Sequence, residues 1–122
     1  MADYVPLYLP GKAFTSQASA AITGGQAVYV SGSGTVAKTA SAANVPVGVA
    51  AQDAASGDKV GVFARGTIHR LTAAGAITAG DYVESAANGA VATHTLGTND
   101  ARVFGIALTT AADTASVTVM EV

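Results

Sequence analysis

The stretch AITGGQAV at positions 21–28 returns as AITAGDYV at positions 76–83, an offset of 55 residues. Further along, VGVA at 47–50 returns as FGIA at 104–107, an offset of 57 residues, so an insertion of two residues reconciles the copies. The copies share turn glycines and core positions, and they share no acid, base or metal ligand. What has been duplicated is therefore a structural unit.

Each copy alternates short β-prone segments with turns, which predicts two similar β units at about 20–66 and 75–122 within one domain, residues 13–122. Asn88-Gly89 favours a type I′ hairpin, and no stretch combines helix caps with an amphipathic helical period. The predicted fold class is all-β, a small β-sandwich or a barrel-like domain. Strands are predicted over residues 12–19, 26–30, 35–39, 46–51, 59–64, 67–71, 81–84, 90–95, 102–108 and 115–122.

Residues 1–12 are predicted to form an extended N-terminal arm. Two prolines, Pro6 and Pro10, fix φ and disfavour helix in the residues before them. The arm is rich in apolar and aromatic side chains for a terminus, so it needs a surface to lie on. These side chains are Tyr4, Val5, Leu7, Tyr8 and Leu9.

The composition is unusually poor in charge. Of the 122 residues 50% are hydrophobic and only 11% charged, which favours a subunit that covers part of its surface with partners and predicts an oligomer. A formal charge of −2 provides no basic footprint for nucleic acid or anionic lipid. The N-terminus resembles no secretory signal and no apolar run is long enough to cross a bilayer, so we expect a soluble protein made in a cytoplasm.

The sequence offers little catalytic chemistry. His69 and His94, the two histidines, fall in predicted strands without a neighbouring nucleophile and acid, and we expect them to face solvent or an interface. The chain has no cysteine, and two separated histidines are too few ligands for zinc. Lys59 follows a Gly-Asp turn as in lipoyl and biotinyl carrier domains, but its repeat partner Ser116 bears no amine. We therefore predict no enzyme activity, no metal and no cofactor.

One basic cluster stands out, formed by Arg65, His69 and Arg70. It is explained either as a charged strand edge that prevents aggregation or as an interface with an acidic partner. Alternation along the strand places His69 and Arg70 on opposite faces.

Several motifs together resemble the phage capsid decoration, or head cement, proteins. They are PGK at 10–12, the two AIT-containing stretches, VGVA at 47–50 with Gly57-Asp58, GTI at 66–68 and GIAL at 105–108, which span almost the whole chain. The resemblance implies a virion protein without enzymatic activity on the outer surface of a phage capsid, often a homotrimer, made in the host bacterial cytoplasm. Its implied partner is the major capsid protein, whose subunits it holds together.

Two hypotheses follow. In the first, Tyr4, Val5, Leu7, Tyr8 and Leu9 of the arm bind the capsid, for instance by adding a strand to an exposed sheet edge, while Arg65, His69 and Arg70 form an interface. The arm could equally pack on its own domain or on a neighbouring copy. The alternative function is a β-sandwich module, displayed on the virion, that binds a host surface or glycan. The absence of tryptophan from the sequence weakens this alternative, because sugar sites use aromatic platforms.

Overall fold

Two five-stranded sheets account for residues 13–122, the part of the chain that the computed structural model describes. The arm predicted for residues 1–12 lies outside the described residues. The first sheet contains β1 (Ala13–Ala18), β2 (Ala27–Gly32), β3 (Thr35–Lys38), β4 (Gly48–Ala50) and β5 (Lys59–Ala64). The second contains β6 (Ile68–Thr72), β7 (Tyr82–Ser85), β8 (Val91–Thr93), β9 (Gly105–Ala107) and β10 (Ser116–Glu121). Two short 3₁₀ turns, Ala87–Gly89 and Asp100–Arg102, interrupt the second sheet.

The two sheets have the same strand order. The first closes as a barrel in the order β1-β3-β2-β4-β5, with a parallel pairing of β1 and β3 and an antiparallel pairing of β1 and β5. The second runs β6-β10-β9-β7-β8, and a parallel bridge from Ala73 to Val91 joins its ends at the position equivalent to the β1–β3 pairing. The all-β, barrel-like prediction is confirmed. The division into one domain with units at 20–66 and 75–122 stays a prediction.

The interiors of the two barrels are filled by small aliphatic side chains at matching positions. Five strands enclose a narrow space, so alanine and valine fit where larger side chains would not. The equivalent buried pairs are Ala18 and Ala73, Ile22 and Ile77, Val28 and Val83, Val36 and Val91, Ala50 and Ala107, Ala54 and Ala111, Val60 and Val117, and Val62 and Val119.

The repeated AIT turn forms the same hydrogen bonds in both units. Gly25 adopts φ +90° and donates its backbone N–H to the Ala50 carbonyl at 2.8 Å. Gly80 adopts φ +93° and donates to the Ala107 carbonyl at 2.7 Å. Positive φ is readily reached by glycine, which explains why both copies keep it at this position.

The two units meet at a surface that we call the inter-unit joint. Ala27 and Val49 lie on the outside of the first barrel, yet they are buried in the same cluster as Phe104 and the second interior. The turn between β7 and β8 completes the joint, because Gly89 donates its N–H to the Thr39 carbonyl at 3.0 Å. Asn88 and Gly89 have φ of +59° and +68°, as the predicted type I′ turn requires.

Candidate functional site

The predicted basic cluster does not form one surface. Arg65 is half-buried and points toward the second unit, where its Nη2 donates to the carbonyls of Val103 and Phe104 at 3.1 and 3.3 Å. Its guanidinium lies 5.5 Å from the centroid of the Phe104 ring, within the range of a cation–π contact. Arg65 therefore contributes to the inter-unit joint.

His69 belongs to a partly buried network with Thr67 and Glu121. The Thr67 hydroxyl donates to Glu121 Oε2 at 2.9 Å, and His69 Nε2 lies 2.6 Å from that hydroxyl oxygen. Since the hydroxyl has one proton, this arrangement requires His69 Nε2 to be the donor to Thr67. On its other side the His69 ring centroid lies 5.6 Å from that of Phe63.

Burial sets the protonation of this network. It raises the pKa of the Glu121 carboxyl, an effect opposed by the hydrogen bonds from Thr67 and by the charge of Arg65. Burial also lowers the pKa of His69. Glu121 Oε1 and Arg65 Nε are buried without a hydrogen-bond partner in the described structure. Sequence reasoning missed Glu121 because its partner Thr67 lies 54 residues earlier.

His94 is buried, contrary to the expectation of an exposed or interface histidine. It lies just beyond β8, with Nε2 3.0 Å from Asp100 Oδ1 and Nδ1 3.4 Å from Glu84 Oε2. The hydrogen bond to Asp100 is the main cause of a raised His94 pKa, which burial opposes and Glu84 reinforces. The same hydrogen bond lowers the pKa of Asp100. This histidine stabilises the fold and has no nucleophile beside it in the described structure.

A row of apolar side chains crosses the outside of the second barrel, and we call it the outer row. Ile68 pairs with Met120, Met120 with Ile106, and Ile106 with Tyr82, so the four side chains share one face across four strands. Ile68 is 59% exposed, and Met120 and Tyr82 are each 37% exposed. The sequence prediction missed this row, and the strand register that aligns its members was the signal that could have revealed it.

Arg70 is exposed and lies on the same face of β6 as Ile68, at the edge of the outer row. It also lines a cleft of about 300 Å³ between the two units. The cleft is bounded mainly by glycine and polar side chains, among them Gln26 and Asn88, and no aromatic side chain lines it. The platform that a sugar site would use is absent from this cleft.

Two further features were sought in residues 13–122. No group of three or more His, Cys, Asp or Glu side chains there could hold a metal ion. No helix in that range is long and apolar enough to cross a membrane. The candidate arm residues, Tyr4, Val5, Leu7, Tyr8 and Leu9, lie outside the described range.

Comparisons with known proteins identify relatives of both the sequence and the fold. The model of the phage cement protein family matches residues 10–122, nearly the whole chain. Among solved structures, the chain is similar to the head fiber gp8.5 N base in bacteriophage phi29, with a TM-score of 0.72 and 20% sequence identity over 91% of this chain and 93% of that one. At this identity the likeness establishes a shared fold. No curated protein sequence matches the chain.

Proposed function

Since the chain belongs to the phage cement protein family, it is a structural, capsid-associated phage protein, and we propose that it binds the outer surface of the capsid and stabilises contacts between major capsid subunits. The observation that carries this proposal is the family match over residues 10–122. We further propose that the protein is made in the host cytoplasm, assembles as a homotrimer and needs no cofactor.

The architecture suits a mechanical role. Two barrels with tightly packed interiors, joined through Phe104, Arg65 and the turn at Gly89, form a stiff body with short loops. Such a body transmits force between the subunits that it bridges. The chemistry of the described residues supports the same role, because both histidines are engaged in structural contacts with carboxylates or hydroxyls.

A capsid surface presents the same site many times. An oligomer that touches several capsid subunits at once gains effective concentration from each added contact, so modest individual interfaces add up to a stable clamp. In this proposal the arm supplies the capsid contact, with Val5, Leu7 and Tyr8 entering pockets of the major capsid protein. The exposed Arg70 is the member of the basic cluster best placed to meet a partner.

Co-sedimentation tests the proposal directly. Purified protein is added to expanded phage heads that lack it, and the bound copies per head are counted. Saturation at a fixed number per lattice site, together with better survival of the heads on heating or chelation, is the expected result. Absence of binding to every head form would refute the proposal and favour the host-surface or glycan-binding module, which glycan screening would then test.

A further inference from the structure

The outer row has a counterpart on the first barrel. Allowing for the offsets of the repeat, Ile68, Met120, Ile106 and Tyr82 correspond to Ala13, Phe63, Val49 and Ala27, which are paired across the first barrel in the same way. Both sets face outward. One structural face therefore occurs twice in the chain.

The second unit covers one of these two faces. Val49 and Ala27 are 2% and 0% exposed because Phe104 and the turn at 87–89 lie on them at the inter-unit joint. The other face, the outer row, has nothing in residues 13–122 that covers Ile68, Met120 or Tyr82. Apolar side chains aligned across four strands of a charge-poor protein are typical of an interaction surface.

The end of the second barrel that makes the joint also has a counterpart. Ser85, at this end, is 2% exposed, and its equivalent in the first barrel, Val30, is 59% exposed. Similarly, the first unit places Val47 where the second has Phe104, and the neighbouring Val45 is exposed. We call this region, formed by Val30, Val45, Val47 and the hairpin at 31–34, the open end of the first barrel.

The chain thus presents both halves of a second joint without joining them. We propose that the outer row of one copy binds the open end of the first barrel of a second copy, with the geometry of the inter-unit joint. The interface continues a contact that the fold already makes, and apolar side chains are exposed on both halves of it.

Such a contact is heterologous, because two different surfaces of the chain meet. Successive copies then form a ring if the rotation closes and a filament if it does not. A ring leaves every outer row and every open end occupied. This inference rests on the proposed function only in so far as that function calls for an oligomer, since the contact forms between copies without a capsid.

Complementation between two variants of the full chain tests the inference. Met120→Ser damages the outer row and leaves the open end intact, whereas Val30→Ser does the reverse. We expect sedimentation velocity to show an oligomeric wild type and self-association weakened at least about tenfold in each variant. An equimolar mixture of the two should form heterodimers, because one copy supplies an intact row and the other an intact end. Leu96→Ser, which removes an exposed apolar side chain from neither surface, is the matched control and should assemble like the wild type.

Three results would overturn the inference. A monomeric wild type would mean that the outer row serves another occupant, such as residues 1–12 of the same chain or the capsid. Normal assembly of Val30→Ser would indicate a row-to-row contact, and a mixture that stays monomeric would exclude the head-to-tail geometry. Circular dichroism of each variant checks that the fold is retained. Head binding is measured on the same samples, so an assembled protein that fails to bind heads counts against the proposed function alone.

Discussion

Thr39 and His94 occupy equivalent positions in the two units, 55 residues apart, and both are buried polar residues. Each donates its backbone N–H to the first residue of the neighbouring strand, Thr39 to the Ala27 carbonyl at 3.0 Å and His94 to the Tyr82 carbonyl at 2.7 Å. The side chains differ in what they join. Thr39 Oγ1 donates to the Ala86 carbonyl at 3.0 Å across the inter-unit joint, and His94 holds Glu84 and Asp100 within the second unit.

The raised pKa of His94 predicts a stability that falls as the pH rises. Its folded pKa is above the model value of 6.5, so the stabilisation is fully present below about pH 6.5 and is lost as the pH passes through the folded pKa. We expect His94→Gln to lower the melting temperature at about pH 6 and to change it much less at about pH 9. Thermal melts across this range, with Arg70→Gln as a surface control, provide the measurement. A difference between His94→Gln and wild type that does not vary with pH would refute the role of the charged imidazole.

Glu121 predicts the opposite kind of substitution effect. A buried carboxyl whose folded pKa is raised stabilises the fold below its unfolded value of 4.5, and this contribution is lost as the pH rises through the folded pKa. At neutral pH the ionised group, with Oε1 unpartnered, is a burden on the fold. Glu121→Gln is therefore expected to raise the unfolding free energy by about 1 kcal/mol at pH 7. Denaturant titrations at neutral and acidic pH measure the gain, which should shrink at the acidic pH. A loss at neutral pH would show that attraction to Arg65 outweighs burial.

Arg65 and Arg70 are expected to respond differently to the same change. Arg65→Met removes two hydrogen bonds to the Val103 and Phe104 carbonyls and the contact with the Phe104 ring, and it should cost about 2 kcal/mol. Arg70→Met removes an exposed side chain and should change stability by less than about 0.5 kcal/mol. Urea unfolding of both variants gives the comparison. Equal effects would contradict the assignment of Arg65 to the inter-unit joint.

The strands were predictable because their limits are local. Glycine and Asx turns interrupt short valine-bearing segments, and each predicted strand overlaps an observed one, with β5 at Lys59–Ala64 matched throughout. The strand predicted over 102–108 is shorter in the structure, because Asp100–Arg102 forms a 3₁₀ turn and pairing begins only at Gly105. Local pattern thus determined the strands better than their ends.

The contacts between strands were not predictable in this way. Ile68, Ile106 and Met120 each look like an isolated apolar residue in its own strand, and only the register of β6, β9 and β10 aligns them. Likewise His94 meets Glu84 and Asp100 through the pairing of β7 with β8 and through a loop. Interactions that depend on pairing between distant segments leave no local signal.

Removal of the arm separates capsid binding from folding. Deletion of residues 2–9 is expected to abolish binding to heads while leaving the melting temperature within a few degrees of wild type, since β1 begins only at Ala13. A variant with serine at Val5, Leu7 and Leu9 retains the length of the arm and should lose most of the binding as well, because the apolar side chains fill the pockets. Co-sedimentation with heads and thermal melts measure both properties. Undiminished binding of the deletion variant would exclude the arm as the capsid contact.

Gly89 and Gly34 offer a matched test of the inter-unit joint. They are equivalent in the repeat and have nearly the same backbone conformation, φ +68° and φ +74°. A Cβ on Gly89 would overlap Gln26, whereas a Cβ on Gly34 would meet nothing within 4 Å. Both alanine variants carry the strain of a left-handed residue, about 1 kcal/mol, and Gly89→Ala should lose about 2 kcal/mol more because the turn at 87–89 can no longer lie against the first barrel. Urea unfolding in dilute solution, where contacts between copies do not contribute, measures the difference. Equal losses would mean that close contact at Gln26 adds nothing to stability, and the joint would then depend on Phe104 and Arg65 alone.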